Sequence, residues 1–190
     1  MILEGIVTTL NDDGQINISP MGPIVDRQIQ AFELRPYQTS RTYQNLKRQG
    51  EGVFHVTDNV AMLAQCAVGP ITPTPATITA LHVDGRILTD ACRWYEFRVL
   101  ELNDIEPRTS IRCEIIHQGR QRDFFGFNRA KHAVLEAAIL ATRINLLPQE
   151  QIATEMERLQ TLIEKTAGDQ EKWAFEFLRD YVHNKSLGKP

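Results

Sequence analysis

The chain of 190 residues has little cysteine: Cys66, Cys92 and Cys113 are odd in number, widely spaced and form no CxxC pair. That excludes a disulfide scaffold and reads most simply as reduced core thiols of a cytoplasmic protein. No run of about 18 apolar residues occurs, so no membrane-spanning helix is expected. Residues 1–5 lack the basic and apolar regions of a signal peptide, and none is expected. Positive charge is not in excess. With 21 Lys and Arg against 24 Asp and Glu, the net charge is −3 and the pI about 6.0. Such a balance gives no general attraction to nucleic acid. The histidines, His55, His82, His117, His132 and His183, are scattered without HxH or HExxH spacing, so no metal site is expected. A P-loop, a GxSxG elbow and a GxGxxG fingerprint are all missing. Asp12-Asp13 resembles a carboxylate pair but lies in a turn cluster, where such residues form turns.

What is present is ordinary in bulk and informative in order. Hydrophobic residues make up 42% and charged residues 24%, as in a globular protein. The hydrophobic period changes once, near residue 127, from two to 3.6. Residues 2–10 read as a strand ended by Asn11-Asp12-Asp13-Gly14, and residues 15–25 as its partner. Pro20 and Pro23 confine the second part of that partner to an edge, a bulge or a loop. Strands are expected over 28–34, 52–57, 77–83, 86–89, 93–102 and 110–117, with a tight hairpin turn at Asp84-Gly85. Helices are expected over 39–49, ended by Gly50, and over 59–68. Three more follow: one capped by Asn128 and running to about residue 145, one with Pro148 in its first turn, and one capped by Asp169. The expected fold is mainly β with α (α+β), with residues 1–127 a barrel or sandwich and 128–190 a helical region of three helices.

Two segments could hold a ligand. In Thr39-Ser40-Arg41-Thr42-Tyr43-Gln44-Asn45, hydroxyls and a guanidinium gather at a helix N-terminus, where free N–H groups and the helix dipole favour an anion. Arg41 adds a planar fork suited to phosphate. The alternative is that Thr39 or Ser40 merely caps the helix and Arg41 is solvated. In Asn17-Ile18-Ser19-Pro20-Met21-Gly22, proline and glycine free backbone groups from the ladder, so a planar ring could lie along the segment. An edge strand ending in a turn is the other reading.

Taken together, the Asn-x-Ser-Pro strand, the Ser-Arg-Thr-x-x-Asn-Leu helix and the Gly-Val-Phe-His-Val-Thr-Asp strand resemble the FMN-binding split barrel, in its flavin-reductase-like branch. With Phe127-Asn128-Arg129-Ala130 and the helix after it, residues 2–185 resemble the DUF447 family. This resemblance implies a split β-barrel that binds FMN. It puts Asn17, Ser19, Pro20, Met21 and Gly22 at the ring or ribityl chain, and Ser40, Arg41, Thr42 and Asn45 at the phosphate. His55 stands where the pattern usually has Asn and is not carried over. The resemblance also implies a homodimer with flavin near the interface. The function it suggests is a flavin-dependent oxidoreductase acting on an unidentified small molecule, with a non-catalytic flavin carrier or electron-transfer protein as the alternative.

In the helix after residue 128, Arg129, His132, Glu136 and Arg143 fall within a sector of about 60° at about 100° per residue. Either Arg129, together with His132, stands over the flavin pocket or its substrate, or the stripe is a solvated face paired His132–Glu136 and Glu136–Arg143.

Overall fold

The Asn11–Gly14 turn begins the fold as its composition demands. Gly14 takes φ 77°, Asn11 and Gln15 close the turn through backbone bonds, and the Asp13 carboxylate accepts from the Gln15 N–H at 2.9 Å. Strands β1 (Gly5–Leu10) and β2 (Ile16–Met21) are thereby set antiparallel, with Thr9 opposite Asn17 and Val7 opposite Ser19. The structure, a computed structural model, describes residues 1–187.

One seven-stranded sheet has the order β2-β1-β5-β8-β9-β4-β3. It consists of β3 (Ile24–Val25), β4 (Ala31–Leu34), β5 (Glu51–Val56), β8 (Arg93–Asn103) and β9 (Ser110–Arg120) besides the first two. β2 lies at an edge, where Pro20 leaves no ladder bond unmade. The expected partner over 15–25 breaks at Gly22-Pro23 into β2 and β3. The strand expected from residue 28 starts at Ala31, because the Asp26 carboxylate takes the Gln28 and Ile29 N–H groups into a turn. Two bulges, at Glu96/Phe97 and Val99/Glu101, let the long β8–β9 pair curl.

Inside the curl lie Val7, Phe32, Leu34, Leu46, Phe54, Phe97 and Ile111, all buried. Phe32 meets Phe54 and Phe97 edge-on at 5.7 and 5.1 Å. Helix α1 (Arg41–Gln49) contributes Tyr43 and Leu46 to this core and ends at Gly50, whose φ of 73° is the left-handed cap expected of glycine. A second, two-stranded sheet joins β6 (Thr77–Thr79) to β7 (Arg86–Leu88). The tight Asp84-Gly85 turn expected between them does not form. Residues 80–85 make a wider loop because the buried Glu96 carboxylate draws in the N–H groups of Leu81 and His82, at 3.1 and 2.6 Å.

The chain divides into two compact units that are not consecutive. One contains Met1–Thr57 and Thr72–Phe124; the other contains Asp58–Ile71 and the chain from Phe125 onward. In the second unit, α2 (Val60–Val68) packs with α3 (Arg129–Thr142) and α5 (Asp169–Leu187), while α4 (Gln149–Thr166) packs chiefly on α3. Asn128 caps α3 as expected, accepting from Ala130 and Lys131 N–H at 2.8 and 3.0 Å. Ala130, Ala133, Ala137 and Ala141 form a small-residue face that lets neighbouring helices approach closely. Lys131 Nζ crosses to Glu171 at 2.7 Å and to the Asp58 carbonyl at 2.8 Å, fastening α3, α5 and the start of α2. Burial opposes ionisation of Glu171, yet the Lys131 ammonium and the Gly168 N–H outweigh it and hold the carboxyl below its usual range. Asp169, expected as a cap, is the first residue of α5, and Glu171 reaches back to the Gly168 N–H instead.

Candidate functional site

The Ser40 hydroxyl accepts from Tyr43 N–H at 3.2 Å and so caps α1. The next two N–H groups, of Arg41 and Thr42, have no acceptor among the described residues. The helix therefore ends in open donors and the positive end of its dipole. From that tip runs a polar face of Arg41, Gln44, Asn45 and Arg48, all within about 100° by helical spacing. With Asn11, Asp12 and Asp13 of the first hairpin turn, this face lines a cleft of about 360 Å³. Arg48 is held there by an ion pair with Asp12 at 2.5 Å and a bond to the Leu10 carbonyl at 2.5 Å. Arg41 is exposed and makes no such bond among the described residues.

Beneath the cleft the two sequence motifs meet. Asn17 Nδ2 donates to Thr9 Oγ1 at 3.2 Å and to Thr42 Oγ1 at 3.1 Å. Asn45 Nδ2 donates to Thr9 Oγ1 at 2.9 Å and to Asn11 Oδ1 at 3.0 Å. Thr9, Thr42 and Asn45 are buried, so this network ties β1, β2 and α1 together in a low-dielectric setting where each bond counts for more. Of the residues named from sequence, Asn17, Thr42 and Asn45 are thus brought together, and Arg41 stands over the same cleft. Ser40 is the cap. Ser19, Pro20 and Met21 follow along the half-buried edge strand, opposite Val7, Ile6 and Gly5. Gly22 closes the segment, where an added Cβ would stand 2.7 Å from Ile2 Cγ2. Sequence reasoning missed Thr9, Asn11, Gln44 and Arg48. The spacing from Arg41 carried the signal for the last two.

His55 does not face the cleft lining. It is fully buried in β5, with Nδ1 3.2 Å from the Ile6 carbonyl and Nε2 accepting from Leu88 N–H at 3.1 Å. That pattern requires a neutral ring with its proton on Nδ1. Burial pushes its pKa down to about 4, the bond to Ile6 only partly opposing it. It is a strut across β1, β5 and β7. On another side of α1, the Tyr43 hydroxyl donates to Asp104 at 2.5 Å, and Lys47 Nζ donates to the same carboxylate at 2.7 Å. The bonds from Lys47 and Tyr43 hold the Asp104 carboxyl below its usual range.

In the second unit Arg129, His132, Glu136 and Arg143 are all exposed, and among the described residues they make neither the His132–Glu136 nor the Glu136–Arg143 pair. Cys66, Cys92 and Cys113 are buried free thiols, and burial pushes the Cys66 thiol up to about 12. Among the described residues no group of three or more His, Cys, Asp and Glu is placed to hold a metal. Nor is any helix among them long and apolar enough to cross a membrane.

Residues 3–122 match the family described as "Protein of unknown function (DUF447) N-terminal domain", and residues 128–180 match "Protein of unknown function (DUF447)". No curated protein matches the chain. Among solved structures it is similar to an FMN-bound DUF447 protein from Methanosarcina mazei, with 21% identity and a TM-score of 0.79 over 95% of this chain and 94% of that one. It is also similar to the flavoredoxin of Desulfovibrio vulgaris, at 14% identity and a TM-score of 0.52 over 63% of this chain and 69% of that one. An FMN-binding protein from Thermus thermophilus gives 11% identity and a TM-score of 0.53 over 63% and 70%. These likenesses fix the fold as that of the flavin-reductase-like split barrel with a C-terminal helical region, and by its two matched segments the chain belongs to the DUF447 family.

Proposed function

We propose that this chain binds FMN and works as a flavin-dependent oxidoreductase on a small molecule. The observation that carries the reading is the cleft along α1, lined by Arg41, Gln44, Asn45 and Arg48, with open N–H groups at the helix start and with Asn17 of the neighbouring strand bonded to Thr42. The FMN recorded for the similar Methanosarcina mazei protein supports it. Arg41 and the Arg41 and Thr42 N–H groups hold the phosphate, with Ser40, Thr42 and Asn45 framing it. Asn17, Ser19, Pro20, Met21 and Gly22 border the ring and ribityl chain. Arg129 stays a candidate on the family resemblance, its exposed guanidinium having no partner among the described residues. When bound, the flavin supplies the acceptance and donation of electrons; the protein supplies orientation and electrostatics.

The cleft lining also favours a second reading, a flavin carrier or electron-transfer protein. Among the described residues that line it are carboxylates and guanidiniums but no histidine or cysteine to pass a proton near neutral pH. Titration of the purified chain with FMN, followed by absorbance and fluorescence, tests the binding; no saturable binding at micromolar flavin refutes it. Anaerobic reduction by NADH or NADPH and reoxidation by candidate acceptors separates enzyme from carrier.

We also place the flavin in the barrel of residues 1–127 and assign residues 128–190 to the helical region, with α2 allied to it by packing. A homodimer is expected on the family resemblance, and the exposed Phe125 and Phe127, at 84% and 109%, would offer it apolar contact surface. Light scattering on the purified chain decides it. The buried free thiols fit a cytoplasmic location.

A further inference from the structure

The groove between α4 and α5 belongs to the helical unit alone. The short connection after Thr166 turns α5 back along α4, so the two helices run antiparallel. Facing stripes of the two enclose a groove of about 570 Å³, within the size range of small-molecule sites. Its floor is apolar: Met156 of α4 and Phe175 of α5 are buried there, with Val182 half-buried beside them. Its walls carry charge of opposite sign. On α4, Glu164 accepts from the Gln160 amide at 3.3 Å, whereas Glu157 has no donor among the described residues. On α5, Arg179 has no acceptor among them, and His183 follows one turn later. By helical rise, Glu157 and Arg179 stand at nearly the same level, about 14 and 15 Å from the connection. They line one groove, yet they form no ion pair with each other.

A ligand with a single charge suits only one wall. An anion on Arg179 would face the Glu157 carboxylate, and a cation on Glu157 would face the guanidinium. A molecule with both charges close together satisfies both walls, and an apolar body on it covers the floor. We infer that the α4–α5 groove binds a free α-amino acid with a large apolar side chain. The planar fork of Arg179 takes its carboxylate, with a ring N–H of His183 as a second donor. Glu157 takes its ammonium, and its side chain lies on Met156, Phe175 and Val182. An interior residue of a peptide has neither backbone charge, which favours the free amino acid. The inference does not depend on the flavin reading, since none of these residues lines the cleft along α1.

Calorimetric titration of the full chain with L-phenylalanine and L-leucine tests the site. At least one of them is expected to bind saturably with a Kd of about 1 mM or below. N-acetyl-L-phenylalanine lacks the ammonium, phenethylamine lacks the carboxylate and glycine lacks the apolar body, so each should bind at least about fivefold more weakly. Arg179→Gln should weaken L-phenylalanine about fivefold without weakening phenethylamine. Glu157→Gln should weaken L-phenylalanine by a similar factor without weakening N-acetyl-L-phenylalanine. Both side chains are exposed, so both variants should fold, which thermal melting checks. No binding of either amino acid at about 10 mM overturns the inference, as does N-acetyl-L-phenylalanine or phenethylamine binding as well as L-phenylalanine. Sedimentation is run alongside. A chain that self-associates until Arg179→Gln separates it shows that a second copy fills the groove, and that result overturns the inference too.

Discussion

Acid should loosen the barrel through His55, and the size of the effect follows from its burial. The ring is neutral in the folded protein with a pKa of about 4, against 6.5 when exposed. The unfolded chain therefore binds the proton first as pH falls, and stability is full above pH 6.5 and lost through the interval down to about 4. A difference of about 2.5 pKa units corresponds to at most about 3.4 kcal/mol. Of this, about 1.4 kcal/mol is lost by about pH 5.5 and about 2.5 kcal/mol by about pH 4.5. Other groups titrate in the same interval, so the measurement is a difference. Urea unfolding of the unaltered chain and of His55→Asn, an amide that can still donate and accept across β5 but does not titrate, should be followed from pH 7.5 to 4.5. The stability gap between the two should move by about 2.5 kcal/mol in favour of the variant over that range. Parallel curves would mean that His55 is either charged in the fold or reached by water, and the neutral strut would be refuted.

Arg41→Ala should weaken FMN binding by about 1.5 to 3 kcal/mol, roughly 10- to 150-fold, without lowering the melting temperature; unchanged affinity in a fluorescence titration removes the phosphate assignment. Lys131→Met should cost about 3 to 5 kcal/mol in urea unfolding, because it strands the Glu171 carboxylate, while Lys131→Met with Glu171→Leu should recover most of that loss. A double variant as unstable as the single one would show that the pair is not the cause. Asn17→Ala and Asn45→Ala share Thr9 as acceptor, so their effects on stability should fail to add by about 0.5 kcal/mol or more in a double-mutant cycle.

Much of the fold was legible because its signals are local. Asn11–Gly14, Ser40, Gly50, Asn59 and Asn128 act at turns and caps within four residues of themselves, and each does what its chemistry suggests. What failed depended on distant groups. The wide 80–85 loop is imposed by Glu96 from β8, and residues 58–71 join the helical unit although they sit between two strands of the barrel unit. The role of His55 was unreadable for the same reason: its partners, Ile6 and Leu88, are 49 and 33 residues away. In the site, Arg48 and Gln44 could have been found from their spacing with Arg41. Thr9 could not, since nothing in a buried strand marks one threonine as the acceptor of two asparagines.

That threonine changes how the two motifs should be understood. Asn17 and Thr42 are 25 residues apart, yet a single amide group bridges Thr9 and Thr42, and a second, from Asn45, returns to Thr9. Because these residues are buried or half-buried, breaking any one bond would leave a polar group with little water to replace its partner. The tip of α1 is therefore fixed to the edge strand before any ligand arrives. A ligand with a phosphate at one end and a planar ring at the other would meet both of its binding surfaces on one preorganised body, and less affinity would be lost in ordering them. A ligand with the phosphate alone would gain from the tip of α1 but not from the strand. On the proposed reading, the spacing between Arg41 and the Asn17–Gly22 strand would gauge ligand length, and it is set by the hydrogen bonds among Thr9, Asn17, Thr42 and Asn45.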